Sequence, residues 1–62
     1  MAQRRYDEIA QEYYPYNRMP AFNEGAEGYR KGKANPYSPD SVEAQAWDRG
    51  AETLMRFCRQ YY

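Results

Sequence analysis

Sixty-two residues allow one small domain, and a chain this short buries only roughly 60% of the surface it exposes when unfolded. One cysteine and no histidine exclude an internal disulfide and a Cys/His zinc site, so partner contacts or self-association are the remaining sources of extra stability. Nine Lys and Arg cancel nine Asp and Glu, which excludes a global field drawing the chain to nucleic acid or an anionic membrane and makes any such attraction local.

The apolar inventory is aromatic rather than aliphatic. Eight Tyr, two Phe and one Trp stand beside Ile9, Val42 and Leu54, with Met19 and Met55 as adaptable filler. A buried Tyr or Trp also needs a partner for its polar atom, which suits half-buried and interface positions. The segment from Met1 to Glu8 has no signal-peptide apolar run, and nothing approaches the length of a membrane span. The expectation is a cytoplasmic protein with Cys58 reduced.

In chain order, Tyr6, Ile9, Ala10 and Tyr13 keep a helical spacing, with Asp7 and Glu8 near the positive end of the helix dipole. A short N-terminal helix is expected over about 3–14, ended by Pro15, which disfavours helix for the residue before it. Tyr14 to Met19 reads as a connector. Pro20 suits a first helical turn, so a second helix is expected over about 20–32. Ala21, Gly25, Gly28 and Gly32 fall on one side of it, and Phe22, Ala26 and Tyr29 form the next stripe. Each mid-helix glycine costs roughly 1 kcal/mol against alanine. Either the helix is loose, or the bare face lets another helix or a flat ring press on the backbone.

Lys33 to Pro39 is a loop by composition, with two prolines and the turn formers Asn and Ser. A third helix then runs over about 39–60, capped either by Ser38 with Pro39 at its first position or by Asp40 with Glu43 in a capping box. Its apolar stripe is Ala44, Trp47, Ala51, Leu54, Cys58 and Tyr61. No alternating β-branched runs or hairpin turns occur, so the fold class is all-α without a sheet. The chain is one domain over 1–62, with 1–19 an N-terminal extension to a core of 20–62, and the sequence leaves open whether the extension packs on that core.

Trp47 reads as a core residue, with an exposed binding anchor the alternative. Gly50 leaves room beside its indole, so the expected core is Phe22, Gly25, Gly28, Gly32, Trp47, Gly50, Leu54 and Cys58. Arg30, Lys31 and Lys33 are the densest basic cluster. Cations beside Tyr29 and Tyr37 suit phosphate contact with base stacking, while the same residues at a helix C-terminus also simply complement the dipole. Cys58 has no histidine to act as its base and reads as a small core residue. Glu24, Glu27 and Glu43 are the carboxylates that converge if any do. No P-loop, Ser/His/Asp set or metal-ligand cluster is present, so no enzyme activity, cofactor or metal is expected.

Gly28-Tyr29-x-x-Gly32, then Asn35-Pro36-Tyr37, then Trp47-x-x-Gly50 is similar to the pattern of the ribosome modulation factor family. There a Gly-Tyr helix, a Cys-Pro-Tyr or Asn-Pro-Tyr loop and a Trp-x-x-Gly helix follow in that order. The resemblance covers about Ala21 to Ala51. It implies two helices joined by a loop, and binding to the small ribosomal subunit near the messenger-anchoring region of its RNA, promoting inactive ribosome dimers. Some relatives lie in plasmids and phages, and one branch has been proposed to modify a quinolone antibiotic. Carried across, the candidate partner-binding residues are Tyr29, Arg30, Lys31 and Lys33 before the loop, Asn35, Pro36 and Tyr37 within it, and Trp47 and Arg49 after it.

Two functions follow as expectations. The first is a non-catalytic translational or stress regulator associated with the ribosome or ribosomal RNA. The alternative is a phage- or mobile-element-encoded inhibitor or adaptor that docks on a bacterial protein through Tyr6, Tyr13, Tyr14, Tyr16, Tyr61 and Tyr62, since interface centres enrich Tyr and deplete Lys. Neither involves a membrane, and self-association accompanies either if the third helix keeps spare apolar surface.

Overall fold

The computed structural model describes residues 3–60. Within them the chain forms α1 (Tyr6–Gln11), a 3-10 turn (Tyr16–Arg18), α2 (Pro20–Lys31) and α3 (Val42–Arg59). No strand occurs among the described residues, and the fold is all-α. None of the helices is long and apolar enough to cross a membrane. The expected positions of Tyr61 and Tyr62 lie outside the described residues.

Local chemistry sets each boundary. At the start of α1, the Glu8 carboxylate accepts the Arg5 backbone N–H at 2.8 Å, satisfying a donor that the helix itself cannot. The helix ends at Gln11, earlier than the expected 14, and residues 12–15 turn before the 3-10 segment. The Tyr14–Pro15 peptide is cis. Pro20 occupies the first turn of α2 as expected. At its far end the Lys33 N–H reaches the Gly28 carbonyl at 2.8 Å and the Gly32 N–H reaches that of Tyr29 at 3.2 Å, a Schellman closure.

Gly32 is therefore a helix terminator rather than a core residue. Its φ is +72° and a Cβ there would meet nothing within 4 Å. It is exposed, which corrects its expected place on the packed face. The start of α3 is also corrected. Ser41, not Ser38 or Asp40, is the cap: its hydroxyl accepts the Ala44 N–H at 3.1 Å. Ser38, Pro39 and Asp40 instead form a preceding turn, closed by the Ser41 N–H on the Ser38 carbonyl at 3.0 Å.

The two long helices form an antiparallel hairpin in which backbone meets backbone. Gly25 lies against the Trp47 carbonyl and Gly50 against that of Phe22, while Gly28 lies against the edge of the Trp47 indole. The symmetry of these contacts has a sequence counterpart. Ala21-Phe22-x-x-Gly25-Ala26-Glu27 in α2 matches Ala46-Trp47-x-x-Gly50-Ala51-Glu52 in α3. Under that match Phe22 corresponds to Trp47 and Gly25 to Gly50, so the two contacts are one contact applied twice, an approximate local two-fold.

The buried stripe of α3 is Ala46, Trp47, Gly50 and Thr53, with Ala44 at its start. It is rotated from the expected stripe, leaving Ala51, Leu54 and Cys58 half-buried at its margin. Thr53 is fully buried, and its hydroxyl donates to the Arg49 carbonyl at 2.8 Å, so no polar atom there is stranded. Phe22 is 1% exposed and centres a cluster with Ala10, Ala21 and Ala46, ringed by Tyr6, Tyr13, Tyr16, Met19 and Tyr37.

The N-terminal extension is docked on the hairpin. Ile9 and Ala10 are buried, and Tyr6 meets Phe57 edge-to-face with ring centres 6.1 Å apart. Polar pairs fasten the margin. The Arg4 N–H donates to Gln60 Oε1 at 2.6 Å, and Gln60 Nε2 returns a bond to the Arg4 carbonyl at 2.7 Å. Arg4 and Arg56 share the Glu12 carboxylate, and the Tyr13 hydroxyl donates to Glu52 and accepts from Arg56 at 2.9 Å.

Candidate binding groove

Gly28 lies against the edge of the Trp47 indole, and the loop that follows Gly32 folds back beside them. Together they leave an open groove of about 540 Å³, within the range of small-molecule and nucleotide sites. Its lining is of three kinds. Gly28, Ala34, Pro36 and Trp47 supply an apolar floor and wall, Glu24 and Glu27 supply carboxylates, and Lys31 and Lys33 supply ammonium groups, with Asn23 beside them. Residues 23, 27 and 31 share the groove because they follow the i, i+4, i+8 periodicity of one face of α2, and 24 and 28 lie in the adjacent row.

The loop is held in place by Asn35. Its Nδ2 donates to the Ala44 carbonyl at 2.9 Å and to Asp48 at 3.0 Å, while its Oδ1 accepts the Tyr37 N–H at 3.0 Å. That amide thus ties the loop to the first turns of α3. Tyr37 packs on the core cluster, and its hydroxyl donates to Glu24 Oε1 at 2.5 Å. The hydrogen bond to Glu24, then burial, then the charges of Glu24 and Glu43 hold the Tyr37 phenol above its ordinary pKa. The phenol therefore stays a donor and fixes the carboxylate at the groove rim.

The expected partner-binding residues separate on this surface. Lys31, Lys33 and Pro36 line the groove, joined by Trp47 from the core set. Asn35 and Tyr37 are committed to the fold through the contacts above. Arg30 turns to Glu27 at 3.1 Å, and Lys31 lies 3.9 Å from the same carboxylate. Lys33 has no ion pair among the described residues. Tyr29 is 42% exposed and lies outside the groove lining. Arg49 is elsewhere, its guanidinium 6.0 Å from the centre of the Tyr13 ring with Arg56 at 5.8 Å.

Of the three carboxylates whose convergence the spacing allows but does not demand, Glu24 and Glu27 line the groove and Glu43 does not. Asn23 and Ala34 were missed, although the helical period that carries Glu27 and Lys31 onto one face carries Asn23 as well. Of the tyrosines proposed as a docking surface, Tyr6, Tyr13 and Tyr16 pack against the core, and Tyr14 is 65% exposed. No group of His, Cys, Asp and Glu able to hold a metal occurs among the described residues. No family model, curated protein or solved structure matches the chain.

Proposed function

We propose that this protein is a non-catalytic binding factor that associates with single-stranded RNA, in the manner of ribosome modulation factor on the ribosome, and acts as a translational or stress regulator. The observation that carries this reading is the groove, where Lys31 and Lys33 stand beside an apolar floor that includes Trp47. Paired cations next to a surface able to hold a flat ring are what unstacked nucleotides require. The neutral chain then makes the interaction local, confined to a few phosphates.

The family resemblance has, on this reading, a structural use. Its three motifs act jointly to close the hairpin: Gly28 receives the Trp47 indole, Gly50 receives the Phe22 carbonyl and Asn35 fastens the loop between them. The tyrosine-surface reading is less well supported, because three of its six residues are spent on the core.

The test is co-sedimentation with ribosomal subunits. At low salt the protein is expected to travel with the subunits and to leave them as salt rises, since phosphate contacts release counterions. Lys31→Glu with Lys33→Glu should reduce the bound fraction at least tenfold. A protein that stays at the top of the gradient at low salt overturns the reading.

A further inference from the structure

The lining of the groove has a polarity along α2. In chain order Glu24 and Glu27 come first and Lys31 and Lys33 follow, with Gly28 between them on the helix and Ala34, Pro36 and Trp47 completing the apolar part of the lining. Glu24 and Lys31 are seven residues apart, about 10 Å along a helix axis. That is comparable to the reach of one nucleotide from the outer edge of its base to its phosphate. An anionic end facing RNA has only one use that does not repel the ligand, which is to accept hydrogen bonds from a base edge.

From this arrangement we infer that the groove is a base-reading pocket for a guanine in single-stranded RNA, with Glu24 accepting from the base and Lys31 and Lys33 holding the adjoining phosphate. The inference rests on the RNA-binding reading above and adds the identity of the base. Guanine presents two parallel donors, N1–H and the N2 amino group, which match the two oxygens of one carboxylate. Cytosine and adenine present a single amino donor on that edge, and uracil a single N3–H.

Glu24 is the better placed carboxylate. The Tyr37 hydroxyl takes one lone pair of its Oε1 and orients the group, leaving further lone pairs on both oxygens. Glu27 is shared between Arg30 and Lys31 and serves as their counter-ion. The division of labour is that of nucleic-acid sites in general: phosphate contacts position and base contacts specify. A peptide with an aromatic side chain between a basic and an acidic one also has complementary charges. An arginine in such a peptide also pairs with a carboxylate through two parallel N–H donors; the RNA-binding reading selects the nucleotide, and the peptide is the outcome that would overturn it.

Trp47 is the chain's one tryptophan, so its fluorescence reports occupancy of this groove. The experiment titrates the full chain with uridine hexamers carrying a central guanine, adenine or cytosine, and with the all-uridine hexamer. The guanine hexamer is expected to change the Trp47 emission at concentrations at least tenfold below the others. Two lysine contacts predict a log–log salt slope of about −1.4 for a single strand. Glu24→Gln should abolish the base preference while keeping the salt slope, and Lys33→Glu should weaken all hexamers alike.

Glu24 and Lys33 are exposed, so both variants are expected to fold; an unchanged circular dichroism melt verifies this. Tyr37→Phe, which releases Glu24 without removing it, should give an intermediate loss of preference. Equal responses to all four hexamers, or guanine preference retained in Glu24→Gln, overturns the inference while leaving RNA binding intact. A change in Trp47 emission with an aromatic tripeptide bearing one acidic and one basic side chain, and none with RNA, overturns it in favour of a protein ligand. No response to any hexamer, combined with ribosome co-sedimentation, overturns the pocket alone. The absence of both overturns the RNA reading with it.

Discussion

A methyl group added at Gly25 would meet the Trp47 carbonyl, and one added at Gly50 would meet that of Phe22. A carbonyl in a helix cannot turn aside as a side chain can, so the helices must separate. Overpacking of this kind costs roughly 1–3 kcal/mol or more, against a total stability on the order of 3–9 kcal/mol for a chain this short. Gly32 differs, since nothing crowds it and only its positive φ penalises a side chain. The order of effects is therefore predictable. Gly25→Ala and Gly50→Ala should each lower Tm by roughly 10 °C or more, and Gly32→Ala by roughly 4–8 °C for about 1 kcal/mol. Gly28→Leu, which collides with the indole, should abolish the cooperative melt. Thermal circular dichroism measures all four, and a melt unchanged by Gly28→Leu would refute the packing account.

Among the elements, α3 depends on a cap that the sequence did not advertise. Ser41 both accepts the Ala44 N–H and donates to the Ser38 carbonyl at 2.7 Å, so Ser41→Ala should cost about 1 kcal/mol. Asp40→Ala should be nearly neutral, and denaturant midpoints compared at constant slope would distinguish the two. Ser38, Asp40 and Ser41 are all chemically competent caps within four positions, and only the turn closed by the Ser41 N–H decides among them. The hairpin itself was legible: Pro20, the glycine spacing and the Pro-containing loop locate α2 and its partner. The rotation of α3 was not, because Ala46, Gly50 and Thr53 carry little hydropathy and are buried for their small size. The recurrence of Ala-aromatic-x-x-Gly-Ala-Glu in both helices was the available signal for that face. The groove was legible in its parts, Lys31, Lys33, Glu24 and Glu27, but its assembly depends on Asn35 folding the loop back, a contact that crosses from loop to helix.

The whole molecule is thin, with extents of 38 × 24 × 15 Å, and four of the six described tyrosines, Tyr6, Tyr13, Tyr16 and Tyr37, have a ring against the core. This shapes its response to pH at both ends. Hydrogen bonds from Arg4 and then Arg56 hold the Glu12 carboxyl below its ordinary pKa. A depressed folded pKa stabilises the fold above the unfolded carboxyl pKa, and that contribution is lost as pH falls through the folded value. Tyr6 is raised by burial; Tyr13 is raised first by burial and then by its bond to Glu52; Tyr37 is raised first by its bond to Glu24. A raised folded pKa favours the protonated form, so these contributions are complete below the unfolded phenol pKa of about 10 and are lost as pH rises through the folded values. The expected profile is a plateau bounded by an acid limb and an alkaline limb. Phenolate absorbance should show these three rings ionising above the unfolded phenol pKa of about 10. Glu12→Gln should flatten the acid limb alone, because its partners Arg4 and Arg56 remain charged throughout, and Tyr6→Phe should flatten the alkaline limb alone. Denaturant melts of the two variants across the pH range measure both effects, and an acid limb unchanged in Glu12→Gln would show that α1 is held by Ile9, Ala10 and the tyrosine rings without help from its ion pairs.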